Sequence, residues 1–200
     1  AEDQGAEAKL HSSFWERKYS SMYDENMEIY TANRFGQDLR CLTDHLGYDA
    51  QGAYSPNGEH IVFCSFRSAY PISQLSEENQ KRFKVNPSYF GEIYLMRKDG
   101  SKVQRLTYQP GYDGGPFFAP DGKKIIWQRF DDEGLTSDIF TMDLDGANQQ
   151  RVTHFESVSW APYFHPSGEY VIFASNKLNF SNFELFLVDT KGQHQPVRVT

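Results

Sequence analysis

The 200-residue chain is 38% hydrophobic and 16% aromatic, enough to bury a core, yet no apolar run approaches the roughly 20 residues a membrane-spanning helix needs. A formal net charge of −7, with Lys and Arg scattered rather than clustered, argues against a phosphate-tracking surface and hence against a nucleic-acid partner.

In chain order, the small and acidic opening AEDQGAEAKL lacks the apolar core of a secretory leader and reads as a solvated tail. Residues 11–27 follow as an anchoring segment in which Phe14 and Trp15 are expected to pack, so 1–27 form one N-terminal unit. EIYTA from Glu28 and the stretch ending CLT at Thr43 predict strands near 29–33 and 38–43. YSPNG then sets a tight turn between strands near 52–55 and 60–65. An insertion at about 66–90 contains SEENQKRF, with Ser76 as N-cap, acids first and bases last, which predicts a short helix. Further strands are predicted near 92–97, 103–107, 116–119, 124–129, 138–143, 149–153, 162–165, 170–175, 184–188 and 196–199.

These strands repeat. The turn prolines Pro56, Pro120 and Pro166 lie 64 and 46 residues apart, and the following apolar triplets at Ile61, Ile125 and Val171 keep the same spacing. A second hairpin opens on an acid at Glu28, Glu92, Asp138 and Glu184, and closes on Thr43, Thr107, Thr153 and Thr200. Four short strands in about 46 residues is the size and content of one propeller blade, and a fixed period with a turn at one phase is not expected of a sandwich. The fold class is therefore all-β, a propeller of four-stranded antiparallel blades. Three complete blades and one half blade lie within 28–200, fewer than a typical closed ring requires, which predicts part of a larger ring.

The motifs YSPNGEHIVFCS, FAPDGKKIIW and FHPSGEYVIFAS, with EIY strands and RLT closings, resemble the TolB-like propeller repeat over roughly residues 28–200. More narrowly, GYDGGPFFAPDGKKIIW followed by SWAPYFHPSGEYVIFAS is similar to the propeller that precedes a zinc aminopeptidase domain in some bacterial proteins labelled Tol. The resemblance implies a periplasmic or cell-envelope setting. It does not bring peptidase chemistry to these residues.

The residues themselves point away from catalysis. The six histidines show no paired metal spacing, Cys41 and Cys64 form no CxxC and are expected as free thiols, and no GxSxG elbow or glycine-rich phosphate loop is present. No enzyme activity, metal or cofactor is expected. The loops that join one blade to the next, DHLGYDAQG, YQPGYDGGP and HFESVSWAP, should bring Tyr48, Asp49, Tyr112, Asp113 and Trp160 to one channel mouth, with Tyr163 and His165 behind. Such a mouth, acidic on one side and aromatic on the other, suits a protein or peptide partner; in the competing reading Asp49 and Asp113 hydrogen-bond loop amides and the aromatics plug the channel.

Two functions are compatible with this reading: a non-catalytic binding or scaffold module of the envelope, or a substrate-gating propeller of a larger hydrolase. Blades without neighbours expose apolar faces and strand edges, so self-association is expected. Sizing and hydrogen exchange on the 200-residue chain should show association or weak amide protection at both ends of the blade array. A tightly protected monomer would refute the open-array reading.

Overall fold

A computed structural model describes residues 24–200 of the chain, so the expectations for the tail and for Phe14 and Trp15 lie outside the described residues. Among the described residues fourteen strands form four antiparallel sheets. Blade 1 is the pair β1 (Tyr30–Thr31) and β2 (Arg40–Cys41). Blade 2 contains β3 (Ala50–Tyr54), β4 (His60–Ser65), β5 (Glu92–Arg97) and β6 (Gln104–Arg105). Blade 3 contains β7 (Asp113–Phe118), β8 (Lys124–Phe130), β9 (Ser137–Asp143) and β10 (Gln150–Arg151). Blade 4 contains β11 (Ser159–Phe164), β12 (Tyr170–Asn179), β13 (Asn182–Asp189) and β14 (Val197–Arg198). Within each four-stranded blade the strands pair in sequence order, as hairpin connections require.

The cores lie between blades, which is what distinguishes a propeller from separate sheets. Strands β4 and β8 are near-continuous apolar runs because both of their faces are covered. Ile61 and Phe63 face Ile29 and Leu42 of blade 1, whereas Val62 packs with Phe118, Ile125 and Trp127 of blade 3. Ile126 and Ile139 meet Phe164, Val171 and Phe173 of blade 4 in the next layer. On the far side of blade 4 the equivalents of Ile139 and Val152, Leu185 and Val199, are 39% and 56% exposed.

Each innermost strand starts earlier than its glycine-rich sequence suggests: at Ala50, Asp113 and Ser159 rather than near 52, 116 and 162. The reason is a bulge at one repeated position, where Gln51, Gly115 and Ala161 take positive φ of 57°, 60° and 51° and the pairing register shifts. Asp113 and Trp160 thus belong to strands, not to crossover loops. Blade 4 also extends its central hairpin, with β12 and β13 running to Asn179 and from Asn182.

Successive connections of an up-and-down sheet lie at opposite ends of its strands. The crossover rim therefore carries the blade-to-blade loops together with the connection between second and third strands, which in blade 2 is the 66–91 insertion. There α1 (Glu77–Val85) is capped by Ser76 Oγ, which accepts from Asn79 N at 3.2 Å, and buries Phe83 against Tyr70 and Phe90. Arg82 at its end reaches Asp132 of blade 3 at 2.8 Å. No described helix is long and apolar enough to cross a membrane.

On the opposite rim, one glycine in each complete blade holds it against the blade before it. Gly100, Gly146 and Gly192, in the turns between third and fourth strands, have φ of 83°, 85° and 62°. An added Cβ on each would meet the preceding blade's backbone: Leu42 O at 2.5 Å, Leu106 O at 2.9 Å and Val152 O at 2.6 Å. Gly146→Ala should therefore incur both the left-handed backbone cost, about 1–2 kcal/mol, and a clash. Gly168→Ala, at φ 76° with nothing within 4 Å of its Cβ, should incur the backbone cost alone. Urea unfolding of the two variants should rank Gly146→Ala as clearly the more damaging.

Candidate functional site

The crossover rim is built around two buried carboxylates. Asp49 and Asp113 are 0% exposed, so they do not present an acidic surface, contrary to the expectation of an acidic mouth. Desolvating a carboxylate requires a charge partner, and each finds an arginine in its own blade. Asp113 Oδ1 accepts from Arg129 Nε at 2.7 Å and from Trp127 Nε1 at 3.0 Å, and its Oδ2 accepts from Arg129 Nη2 at 2.8 Å. Burial pushes the Asp113 carboxyl above the ordinary aspartate range, opposed by Arg129 and Trp127. The two-pronged guanidinium contact is the geometry of an ionised pair. Asp49 bonds Arg67 Nη2, and the Arg67 guanidinium lies over Phe63 and Tyr94, as that of Arg129 lies over Trp127 and Phe140.

Both aspartates also pin their crossovers through the backbone. Asp49 N donates to Met27 O at 2.8 Å and Asp113 N to Gly91 O at 2.9 Å, joining one blade to the previous one. In blade 4 the same place is held without charge. Ser159 N donates to Ser137 Oγ at 3.0 Å, and Ser159 and Ser175 hydroxyls lie 3.4 Å apart where Asp113 and Arg129 stand in blade 3. Phe173 correspondingly replaces Trp127.

Aromatic rings cover these pairs. Tyr48 packs on Phe66 at 4.9 Å, Phe66 meets Tyr112 edge-on at 6.3 Å, and Tyr112 meets Phe130 at 6.0 Å. Tyr112 fits because Gly91 and Gly114 lack side chains; a Cβ on either would fall 2.5 Å or 2.2 Å from its ring or hydroxyl. Its hydroxyl donates to Gln51 Oε1 at 3.0 Å, and Gln51 Oε1 also accepts from Gly115 N at 2.7 Å, bridging two inner strands. Gln128 repeats the bridge, accepting from Ala161 N at 2.7 Å. Trp160 stacks on Phe183 at 5.1 Å.

Tyr163 and His165 do not join this rim. From Trp160 to His165 the chain runs along β11 for roughly 15 Å at the usual strand rise, which brings His165 to the far turn, where its Nδ1 faces Ser167 Oγ at 2.9 Å. Tyr163 sits between the rims on the inner strand, 56% exposed, and meets Phe117 of blade 3 edge-on at 5.2 Å. The seven candidates therefore separate into a rim group, a channel residue and a far-rim residue. Sequence reasoning missed Arg67, Arg129 and Phe117. The joint change of Asp113 and Arg129 to Ser159 and Ser175, at the same 16-residue separation, was a usable signal for the blade 3 pair.

On the third strand of each complete blade an acid is anchored by an arginine and a threonine. Glu92 accepts from Arg105 Nη2 and Thr107 Oγ1, both at 2.5 Å, and Ile93 N donates to Thr107 Oγ1 at 2.9 Å. Burial pushes the Glu92 carboxyl to about 7, helped by nearby Asp113 and opposed by Thr107 and Arg105. Both cysteines are free; Cys64 is buried with its thiol pushed well above the usual value by desolvation, and Cys41 is exposed. No group of three or more His, Cys, Asp or Glu able to hold a metal occurs among the described residues.

The TolB beta propeller domain profile matches residues 77–198, more than half of the chain. The chain belongs to the TolB β-propeller family. A TolB homolog from Chlorobium chlorochromatii is 27% identical over 122 residues, a match that covers 50% of this chain and 28% of that protein, so the chain spans under a third of that curated relative. Among solved structures, a putative TolB from Agrobacterium tumefaciens aligns with a TM-score of 0.64 at 24% identity, covering 86% of this chain and 55% of that one. A puromycin-hydrolyzing peptidase from Mycobacterium tuberculosis shares the fold at 15% identity and a TM-score of 0.61, over 89% of this chain and 28% of its own. The TolB-like propeller thus occurs both in TolB proteins and in a protein named as a peptidase, so fold alone does not decide the activity.

Asp113→Asn should lower stability by about 3 kcal/mol, because Arg129 is left buried without its counter-charge. The triple change Asp113→Ser, Trp127→Phe, Arg129→Ser, which copies blade 4, should lose less than Asp113→Asn alone. Urea unfolding checks the order.

Proposed function

We propose that this chain is a non-catalytic binding module of the bacterial cell envelope that receives a segment of a partner protein at its inner-strand surface and crossover rim. The observation that carries the reading is the Phe117–Tyr163 pair, two aromatic rings from neighbouring blades exposed on the innermost strands. Paired aromatics of this kind offer flat apolar contact at low ordering cost, and Tyr adds a hydrogen-bonding hydroxyl.

In this reading Tyr163 and Phe117 touch the partner, and Trp160, Tyr48 and Tyr112 shape the rim through which it enters. Asp49 and Asp113 act through Arg67 and Arg129, holding the crossovers in place rather than meeting the partner's charges. His165 lies at the far opening and would meet only a segment that threads the whole channel. The envelope setting follows from the family resemblance, and a propeller that gates access to a hydrolase domain would use the same surface.

A photo-activatable residue at position 163 of the full-length protein should cross-link a discrete protein partner, and the same residue at exposed Tyr170 should not. Phe117→Ala should weaken the captured complex about tenfold, as expected for a central aromatic anchor, without lowering the melting temperature. Equal labelling at both positions would remove the channel surface from the interface.

A further inference from the structure

The third-strand acid of each blade meets the same two side chains on the neighbouring fourth strand, an arginine and a threonine, except in blade 1. In blades 2 to 4 an arginine two residues before the closing threonine donates from Nη2 to the acid and from Nε to that threonine's carbonyl. Arg105 serves Glu92 and Thr107 O, Arg151 serves Asp138 and Thr153 O, and Arg198 serves Glu184 and Thr200 O. Directly across the strand pair from each arginine stands an aromatic: Tyr94, Phe140 and Phe186.

Blade 1 keeps every part of this arrangement but the arginine. Ile29 N donates to Thr43 Oγ1 at 2.9 Å, Tyr30 lies across from position 41, and Glu28 supplies the acid. Position 41 is cysteine, whose Sγ reaches Thr43 O at 2.9 Å but extends no further. Among the described residues Glu28 Oε2 is left without a hydrogen-bond partner. Asp49, fully buried in the adjoining crossover, has a second unpartnered oxygen, Oδ1, because Phe63 stands where Trp127 serves Asp113.

The charges give the same result. The seam between blades 2 and 3 holds Glu92 and Asp113 against Arg105 and Arg129, and that between blades 3 and 4 holds Asp138 against Arg151. Among the described residues the first seam holds Glu28 and Asp49 against Arg67, with Asp44 also close by. Arg40, next to Cys41 on its strand, points to the opposite face. Among the described residues one positive charge is missing at a place whose two flanking side chains, Cys41 and Tyr30, are exposed.

We propose that this notch binds the guanidinium of an arginine side chain supplied by a partner protein, with Glu28 Oε2 and Thr43 O as acceptors and the Tyr30 ring as its floor. The inference rests on the reading of the chain as a protein-binding module and names the chemistry of one contact. A guanidinium fits better than an ammonium because the sister blades show the fork in use, one prong on the acid and one on the carbonyl. A metal ion lacks the donors, since no three metal-binding side chains converge among the described residues.

The test is a titration of the ¹⁵N-labelled chain with acetyl-Gly-Arg-Gly-amide and with its lysine and citrulline counterparts. The arginine peptide should produce saturable shifts at the amides of residues 28–30 and 41–43, with affinity at least about tenfold above both counterparts. Cys41→Ser, which leaves the notch open, should retain the response. Cys41→Arg, which fills it from within, and Glu28→Gln should abolish it, and Cys41→Arg should raise the melting temperature. Absence of saturable shifts, or shifts that persist in Cys41→Arg or match those with citrulline, would overturn the proposal and leave a water or a proton at Glu28. Cross-linking at position 163 is independent of the notch, so its failure is separable from a failure here.

Discussion

The fold depends on a carboxylate at the start of the third strand, which the three complete blades satisfy with an arginine and a threonine. Glu28, Glu92, Asp138 and Glu184 occupy one position, and the threonine opposite each supplies a side-chain acceptor in return: its Oγ1 accepts from the N–H of the residue after the acid in all four blades. The fourth strands pair over only two residues each, too few for backbone bonds to hold them securely. The acid, threonine and arginine together replace the missing ladder. This is why the sequence of so weak a strand keeps to RLT or RVT in the three complete blades.

The fold was legible in the sequence because the repeat fixes phase. All fourteen strands fall at the expected places once the Pro–Gly turns are aligned, and the insertion helix follows from its cap and charge order. The inner-strand boundaries were not legible. GYDGG reads as loop, and only the bulge at Gly115 and its counterparts Gln51 and Ala161 shows that the strand begins before it. Propensity describes single residues, whereas a bulge is fixed by the neighbouring strand and by the Gln51 and Gln128 side chains that accept its freed N–H groups.

The candidate site was half legible for a related reason. Repeat alignment locates Tyr48, Asp49, Tyr112, Asp113 and Trp160 at equivalent points near the start of the inner strands, but says nothing of what faces them. The partner of Asp113 is sixteen residues ahead, on the next strand, and that of Asp49 is eighteen residues ahead, just past the end of β4 in the insertion. The acids therefore look available in sequence and are internally neutralised in space. His165 shows the converse, being close to Trp160 along the chain and separated from it by the length of a strand.

The turn glycines give the array a direction. Each of Gly100, Gly146 and Gly192 abuts the outer strand of the blade before it, so a blade grips its predecessor and is gripped by its successor. The two side faces of any blade are consequently unlike, one shaped as clasp and the other as seat. Contacts between copies that reuse these faces must be heterologous and head-to-tail, never two-fold symmetric. Assemblies made this way grow as rings or filaments with polarity, and the polarity is set by three residues that have no side chain.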